Sequence, residues 1–170
     1  MKEIQQINEA MTAASSSTNS VESIAEYTSI KIVSLTRTGT LEGRAKITST
    51  AEACNFFAKY WEDNPGLDQE RFMIACLDTK HCVQCVVPIT VGTLDASLVH
   101  PREVFKPAII EGSSAILLSH NHPSGDPTPS KEDHSVTRRL TEAGELIGIT
   151  VLDHIVYGDG TGKVISIREV

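Results

Sequence analysis

Two histidines, a serine and an aspartate lie close together in the segment Ser119–Asp133, which reads SHNHPSGDPTPSKED. His120 and His122 are two positions apart at the end of an apolar run. Because side chains alternate along a strand, we expect both imidazoles to point to the same face. Two histidines that converge at a strand end supply half of a metal site. A catalytic zinc ion takes three protein ligands and leaves one position open for water.

A third ligand must therefore return to that face after the proline-rich loop Pro123–Pro129. Prolines restrict φ and lower the entropy lost on ordering, so this loop can hold the next helix close to the strand end. The sequence S-K-E-D that follows matches a helix start with Ser130 as the N-cap, which places Asp133 in the first turn and within reach of a metal. Asp126 is nearer along the chain and stays open as an alternative ligand, although Gly-Asp-Pro is typical of a turn.

Neither half of this pattern is specific by itself. An H-x-H pair often consists of surface residues or of hydrogen-bonded groups, and S-x-x-D is usually only a helix cap. Their combination is far less frequent by chance, so the segment indicates a metal site. A further histidine, His154, lies within an apolar run, and we expect it to be hydrogen-bonded in the core.

The elements that would position these residues follow from the apolar pattern of the chain. Three helices are predicted. The first begins at the capping box of Ser49 and ends at Gly66, and the second begins at Pro101 and has a kink or restart at Pro107. The third runs from Lys131 to Ala143 and ends at Gly144. The predicted strands are Arg71–Leu77, Cys82–Val91, Ser114–Ser119, Ile147–Tyr157 and Lys163–Arg168. Strands interleaved with helices predict an α/β fold, with a mixed β-sheet flanked by about three helices.

Composition limits the classes of function and the partners. The chain has 15 basic and 22 acidic residues and a net charge of −7, which argues against broad contacts with a phosphate backbone. No apolar run reaches the ~20 residues that span a bilayer, and the start lacks the apolar region of a secretory signal, so we expect a cytoplasmic protein without a membrane partner. The four cysteines are expected to be buried thiols rather than disulfides.

Two regions of the chain differ in character. Residues 1–46 are predicted to form a polar N-terminal tail with a strand at 27–35 and a linker. The compact domain is predicted over residues 47–170. The strand at 27–35 could pair with the edge of the domain's sheet or with another copy of the chain, so a homodimer stays open.

The spacing of the metal-site segment resembles a known motif. The pattern is H-x-H, followed after seven residues by S-x-x-D. It is similar to the JAMM motif of the JAB/MPN metallopeptidase superfamily. The flanking segments Gly92–Phe105 and Leu140–Gly160 resemble the RadC family, and the resemblance covers about Ile47 to Val170. Residues 1–46 lack the helix–hairpin–helix-like region of full-length RadC, so the chain looks like a short form. The resemblance implies a JAB/MPN-type fold, which is similar to that of cytidine deaminases.

The resemblance also implies the roles of particular residues. It implies one zinc ion per chain, with the ligands His120, His122 and Asp133. It implies an upstream glutamate that acts as general acid and base on the zinc-bound water, and the matching position is Glu70, with Glu103 and Glu111 as alternatives. Ser130 would donate a hydrogen bond to the developing oxyanion.

The function that the resemblance implies is hydrolysis of a peptide or isopeptide bond in an unidentified protein or peptide substrate. Two other functions stay open. The first is a non-catalytic, zinc-containing interaction module, and the second is a DNA-repair-associated protein, which the history of the RadC name suggests. The acidic net charge and the absence of a DNA-binding region in the tail weigh against the second.

Overall fold

A computed structural model of the chain describes residues 44–65, 68–92 and 99–170. These residues belong to the compact unit Leu41–Val170. The predicted tail and the strand at 27–35 lie outside the described residues. None of the helices among the described residues is both long and apolar enough to cross a membrane.

The centre of the fold is a five-stranded sheet with the order β2-β1-β3-β4-β5. The strands are β1 (Glu70–Leu77), β2 (Val83–Gly92), β3 (Ala115–His122), β4 (Thr150–Gly158) and β5 (Lys163–Ser166). β3 and β4 are parallel and the other neighbouring pairs are antiparallel, which confirms the predicted mixed sheet.

Three helices cover the two faces of the sheet. They are α1 (Thr50–Asp63), α2 (Pro101–Ile110) and α3 (Lys131–Ile147), and a short 3-10 helix follows at Ile167–Glu169. α1 packs Phe57 and Trp61 on one face, whereas α2 and α3 pack on the other with side chains that include Phe105 and Leu140. Because both faces are covered, the last six residues of β1 and the first seven residues of β3 are buried.

The third helix is longer than the sequence predicts, and the assignment of Gly144 as its end is wrong. α3 continues to Ile147 and ends at Gly148, whose φ of 81° is the left-handed conformation that favours glycine. Gly144 is buried inside the helix, and a Cβ atom there would lie 2.4 Å from the carbonyl oxygen of Ile149. This glycine therefore allows the close approach of the chain that leads into β4, which starts at Thr150 rather than at Ile147.

Other predicted boundaries also differ. The last strand ends at Ser166 rather than at Arg168, because a 3-10 helix begins at Ile167. α2 is a single helix with Pro107 inside it, so the predicted restart is wrong; buried residues on both sides of Pro107 hold the helix together. The strand predicted to end at Ser119 continues to His122, and both histidines therefore lie on β3 itself. The four cysteines are thiols rather than disulfides, as predicted, but of these four only Cys76 is fully buried.

Candidate metal centre

The pair of histidines lies at the carboxyl end of β3. His120 is fully buried, and its ring stacks on Phe72 of β1 with 6.2 Å between the ring centroids and an interplanar angle of 9°. His122 is paired in register with Gly158 of β4 and is partly exposed. The Nε2 atoms of the two histidines are 3.0 Å apart, so both imidazoles point to the same face, as the strand period predicts.

Asp133 reaches this pair from the first turn of α3. The Oγ of Ser130 accepts a hydrogen bond from the backbone N–H of Asp133, and Oδ2 of Asp133 accepts from the backbone N–H and the hydroxyl of Ser130, both at 2.7 Å. This capping box leaves Oδ1 of Asp133 3.3 Å from Nε2 of His120, and Oδ2 lies 3.6 Å from Nε2 of His122. The helix cap thus aims the carboxylate at both imidazoles.

The carboxylate and the imidazoles of the site change one another's pKa values. Burial alone would raise the pKa of Asp133, but the adjoining imidazoles of His120 and His122 hold it well below its ordinary range. The hydrogen bond with Asp133 raises the pKa of His122, although burial opposes this shift. Asp133 is therefore an anionic ligand candidate in a place with only 5% exposure.

Glu70, at the start of β1, borders the histidine pair. Its Oε1 lies 3.9 Å from Nε2 of His122. Glu70, His120 and His122 each offer one ligand atom, and these three atoms lie within 4.8 Å of one another. The three residues therefore form a group that could hold a metal ion. The two alternative glutamates lie at the ends of α2: Glu103 pairs with Arg102 in its first turn and Glu111 follows its last residue.

Asp126 has a different role from the one left open for it. Its carboxylate accepts hydrogen bonds from the backbone N–H and the hydroxyl of Thr128, so it serves the turn of the loop. Its backbone carbonyl lies 2.7 Å from Nδ1 of His122. A carbonyl can only accept, so Nδ1 of His122 carries a proton and, in the neutral ring, Nε2 keeps its lone pair.

Sequence reasoning missed the role of Asn121, which lies between the two histidines. This buried side chain accepts a hydrogen bond from the backbone N–H of Arg71 at 2.8 Å and donates to the carbonyl of Gln69 at 3.0 Å and to Oδ2 of Asp159 at 2.7 Å. Gln69 and Arg71 flank Glu70, so Asn121 fixes the backbone on both sides of it. The only signal in the sequence is that a strand places Asn121 on the face opposite to the histidines.

His154 is buried as predicted, and its partner is one of the candidate ligands. Its Nε2 lies 2.8 Å from Nδ1 of His120, and its Nδ1 lies 2.6 Å from Oγ1 of Thr137. Burial holds the pKa of His154 well below its ordinary value. The sequence could not indicate this contact because it depends on the parallel register of β3 and β4.

An open cleft gives access to the group. Its volume is about 410 Å³, and it is lined by Glu70, His122, Pro123, Ser124, Ser130, Glu132, Asp133 and Val136. A second cleft of about 530 Å³ adjoins it at Pro123. The candidate site therefore borders an open cleft, which Glu70, His122 and Asp133 line, while His120 is fully buried.

The spacing of the donor atoms fits a tetrahedral ion. Bonds of about 2.0–2.2 Å at tetrahedral angles separate neighbouring ligand atoms by about 3.3–3.6 Å. The observed separations are close to these values: 3.0 Å between the Nε2 atoms of His120 and His122, 3.3 Å from Nε2 of His120 to Oδ1 of Asp133, and 3.6 Å from Nε2 of His122 to Oδ2 of Asp133. Imidazole nitrogen and carboxylate oxygen suit zinc and other first-row divalent ions.

Comparison with known proteins agrees with the motif. The sequence model of a family described as the RadC-like JAB domain matches residues 47–170. A UPF0758 protein of Trichlorobacter lovleyi is 50% identical over 120 residues, which are 71% of this chain and 51% of that protein. A UPF0758 protein of Alkaliphilus oremlandii is 59% identical over 99 residues, 58% of this chain and 43% of that protein. This chain spans about half the length of the curated relatives that it matches. From the family match and these identities, the chain belongs to the RadC-like JAB domain family.

Proposed function

We propose that the chain is a zinc-dependent hydrolase of peptide or isopeptide bonds. The observation that carries this proposal is the convergence of two imidazole nitrogens and one buried carboxylate, from a strand end and a helix start, at tetrahedral ligand spacing. His120, His122 and Asp133 would hold the ion. A zinc ion bound there would act as a Lewis acid and lower the pKa of a coordinated water to about 7.

Glu70 would move protons in this reaction. Its carboxylate lines the open side of the cleft beside His122, outside the shorter contacts of the other three side chains. In hydrolysis the water oxygen bonds to the carbonyl carbon and the C–N bond breaks. Glu70 would accept the proton that water loses and deliver it to the departing nitrogen, a role that contributes roughly 10²–10⁴-fold to the rate.

Ser130 would stabilise the negative charge on the carbonyl oxygen. It lines the same cleft, at the N-terminus of α3, where the helix dipole favours negative charge. Its hydroxyl donates to Asp133 in this structure, so donation to a substrate requires rotation of the hydroxyl. One such donor is typically worth about 3–4 kcal/mol in the transition state.

The peptide substrate is supported by the JAMM-like motif rather than by the relatives, whose names assign no activity. The adjoining clefts would accept an extended chain on both sides of Pro123.

Metal analysis with matched aspartate variants tests the site. We expect one zinc per chain in the purified protein and loss of zinc in Asp133→Ala. Asp63→Ala is the control, because the carboxylate of Asp63 is exposed and pairs with Lys59 on α1. A wild-type protein without stoichiometric metal, or equal loss in both variants, would contradict the proposed ligand set.

The activity is tested with a peptide library that includes isopeptide-linked lysines, read by mass spectrometry. We expect the wild type to cleave some members and Glu70→Gln to retain zinc while losing cleavage. If the zinc-loaded wild type and Glu70→Gln give the same cleavage products, or none, the hydrolase proposal is refuted and the non-catalytic module is favoured.

A further inference from the structure

A chain of hydrogen bonds runs behind the candidate metal site, away from the cleft. His154 of β4 connects Nδ1 of His120, at 2.8 Å, to Oγ1 of Thr137 on α3, at 2.6 Å. Thr137 continues the chain to the backbone carbonyl of Asp133, at 2.7 Å. The chain therefore joins a histidine of the strand to the turn of the helix that carries the candidate carboxylate.

The direction of each hydrogen bond follows from the last acceptor. The carbonyl of Asp133 can only accept, so the single hydroxyl proton of Thr137 is donated to it. Oγ1 of Thr137 must then accept a proton from Nδ1 of His154. His154 is fully enclosed and neither of its ring nitrogens contacts a carboxylate, so the ring is neutral and its Nε2 can only accept.

It follows that His120 donates from Nδ1, so that in the neutral ring its Nε2 carries the lone pair. We propose that Thr137 and His154 are positioning residues that hold His120 in this tautomer, so that Nε2 is free to bind the metal. This inference rests on the metal site of the proposed function. His122 reaches the same tautomer through the carbonyl of Asp126, so two lone pairs face each other 3.0 Å apart, an arrangement that a cation between them stabilises.

The orientation of the ring and its protonation have separate causes. Phe72 stacks on His120 and meets His154 edge-on, with 5.3 Å between those centroids, so packing alone fixes both ring planes. Packing does not decide which nitrogen carries the proton. The Thr137 hydroxyl decides which nitrogen is protonated. Its proton goes to the carbonyl of Asp133, so its oxygen must accept a proton from His154.

Substitution of Thr137 separates the two causes. Thr137→Val keeps the volume and removes the hydroxyl, whereas Thr137→Ser keeps the hydroxyl. Thr141→Val is the matched control, because Thr141 donates to the carbonyl of Thr137 one turn further along α3 and has no ring contact. Loss of an outer hydrogen bond to a metal-binding histidine typically weakens affinity about 10–100-fold.

We expect zinc affinity, measured by competition with a chromophoric chelator, to fall ~10–100-fold in Thr137→Val and to stay within about threefold of wild type in Thr137→Ser and Thr141→Val. Imidazole-nitrogen NMR of the metal-free protein should show His120 protonated at Nδ1 in wild type and a mixture of tautomers in Thr137→Val. The same samples are compared by thermal unfolding; should Thr137→Val not fold, Thr137→Ala removes the same hydroxyl.

Two results distinguish the failure of this inference from that of the proposed function. If wild type binds zinc and Thr137→Val binds it equally well with the same tautomer, the positioning role is refuted and the metal site stands. If wild type binds no zinc, the proposed function is refuted, and a His120 ring protonated at Nε2 in the metal-free spectrum would refute the hydrogen-bond chain as well.

Discussion

The carboxamide of Asn121 makes a sharp prediction about stability, because its two ends face partners of opposite kind. Oδ1 accepts from the backbone N–H of Arg71, while Nδ2 donates to the carbonyl of Gln69 and to the carboxylate of Asp159. Asn121→Asp keeps the size and shape of the side chain but replaces Nδ2 with an oxygen. The new oxygen would face two acceptors.

The cost of Asn121→Asp can be worked from these distances. Two buried hydrogen bonds are lost, at about 1–3 kcal/mol each. Two carboxylates held 2.7 Å apart would repel by roughly 6 kcal/mol at an effective dielectric constant near 20, and separation of the side chains reduces this. We therefore expect the free energy of unfolding to fall by about 3–5 kcal/mol. Asn121→Ala removes all three hydrogen bonds without adding a charge and should cost about 2–4 kcal/mol.

The assay is urea unfolding followed by the fluorescence of Trp61, the single tryptophan of the chain, which is fully buried. Asn64→Asp is the control, since this exposed carboxamide donates only to the carbonyl of Tyr60. We expect that control to cost less than about 1 kcal/mol. If Asn121 serves packing alone, the isosteric aspartate will be more stable than alanine at position 121, and that order would refute the hydrogen-bonding argument.

Other changes test the packing and the protonation of the site. Gly144→Ala should lower stability by about 1–3 kcal/mol, measured by thermal unfolding, although alanine favours helices, because its Cβ would meet the carbonyl of Ile149. Gly158→Ala should lower both stability and zinc affinity, because its Cβ would lie 2.2 Å from the carbonyl oxygen of Gly125 in the loop that supports His122. The hydrogen bond with Asp133 raises the pKa of His122, so protons should compete with zinc at a higher pH than at an ordinary histidine of pKa ~6.5. Chelator competition at several pH values should show zinc affinity falling as the pH drops, with the fall beginning at a higher pH than at an ordinary histidine, and a flat profile would contradict this.

The sequence predicts the order of elements well, and the errors have local physical causes. Apolar runs bounded by turns identify all five strands, because strands covered on both faces are nearly continuous in apolar residues. Gly144 misleads because a glycine ends helices and also permits close packing. Only the carbonyl of Ile149, which the fold brings against it, distinguishes the two cases.

Some contacts of the site follow from local sequence rules, and others depend on the long-range register of the strands. The positions of His120, His122 and Asp133 depend on the strand period and on a helix cap, which are local rules that a sequence displays. The contact of His154 depends on the parallel pairing of Leu118 with His154, which brings β4 beside β3. The contacts of Asn121 join three separate segments. Long-range register of this kind is invisible in a single sequence.

Three different local structures hold the ligand atoms of the candidate site at their spacing. The strand register and the ring of Phe72 hold His120, the loop carbonyl of Asp126 holds His122, and the capping box holds Asp133. A site ordered in this way loses little conformational freedom when it binds an ion. The fold bears the cost instead, because it brings a desolvated carboxylate and facing imidazole nitrogens together at low exposure. A divalent cation bound among them would offset that cost, so metal binding should raise the stability of this domain.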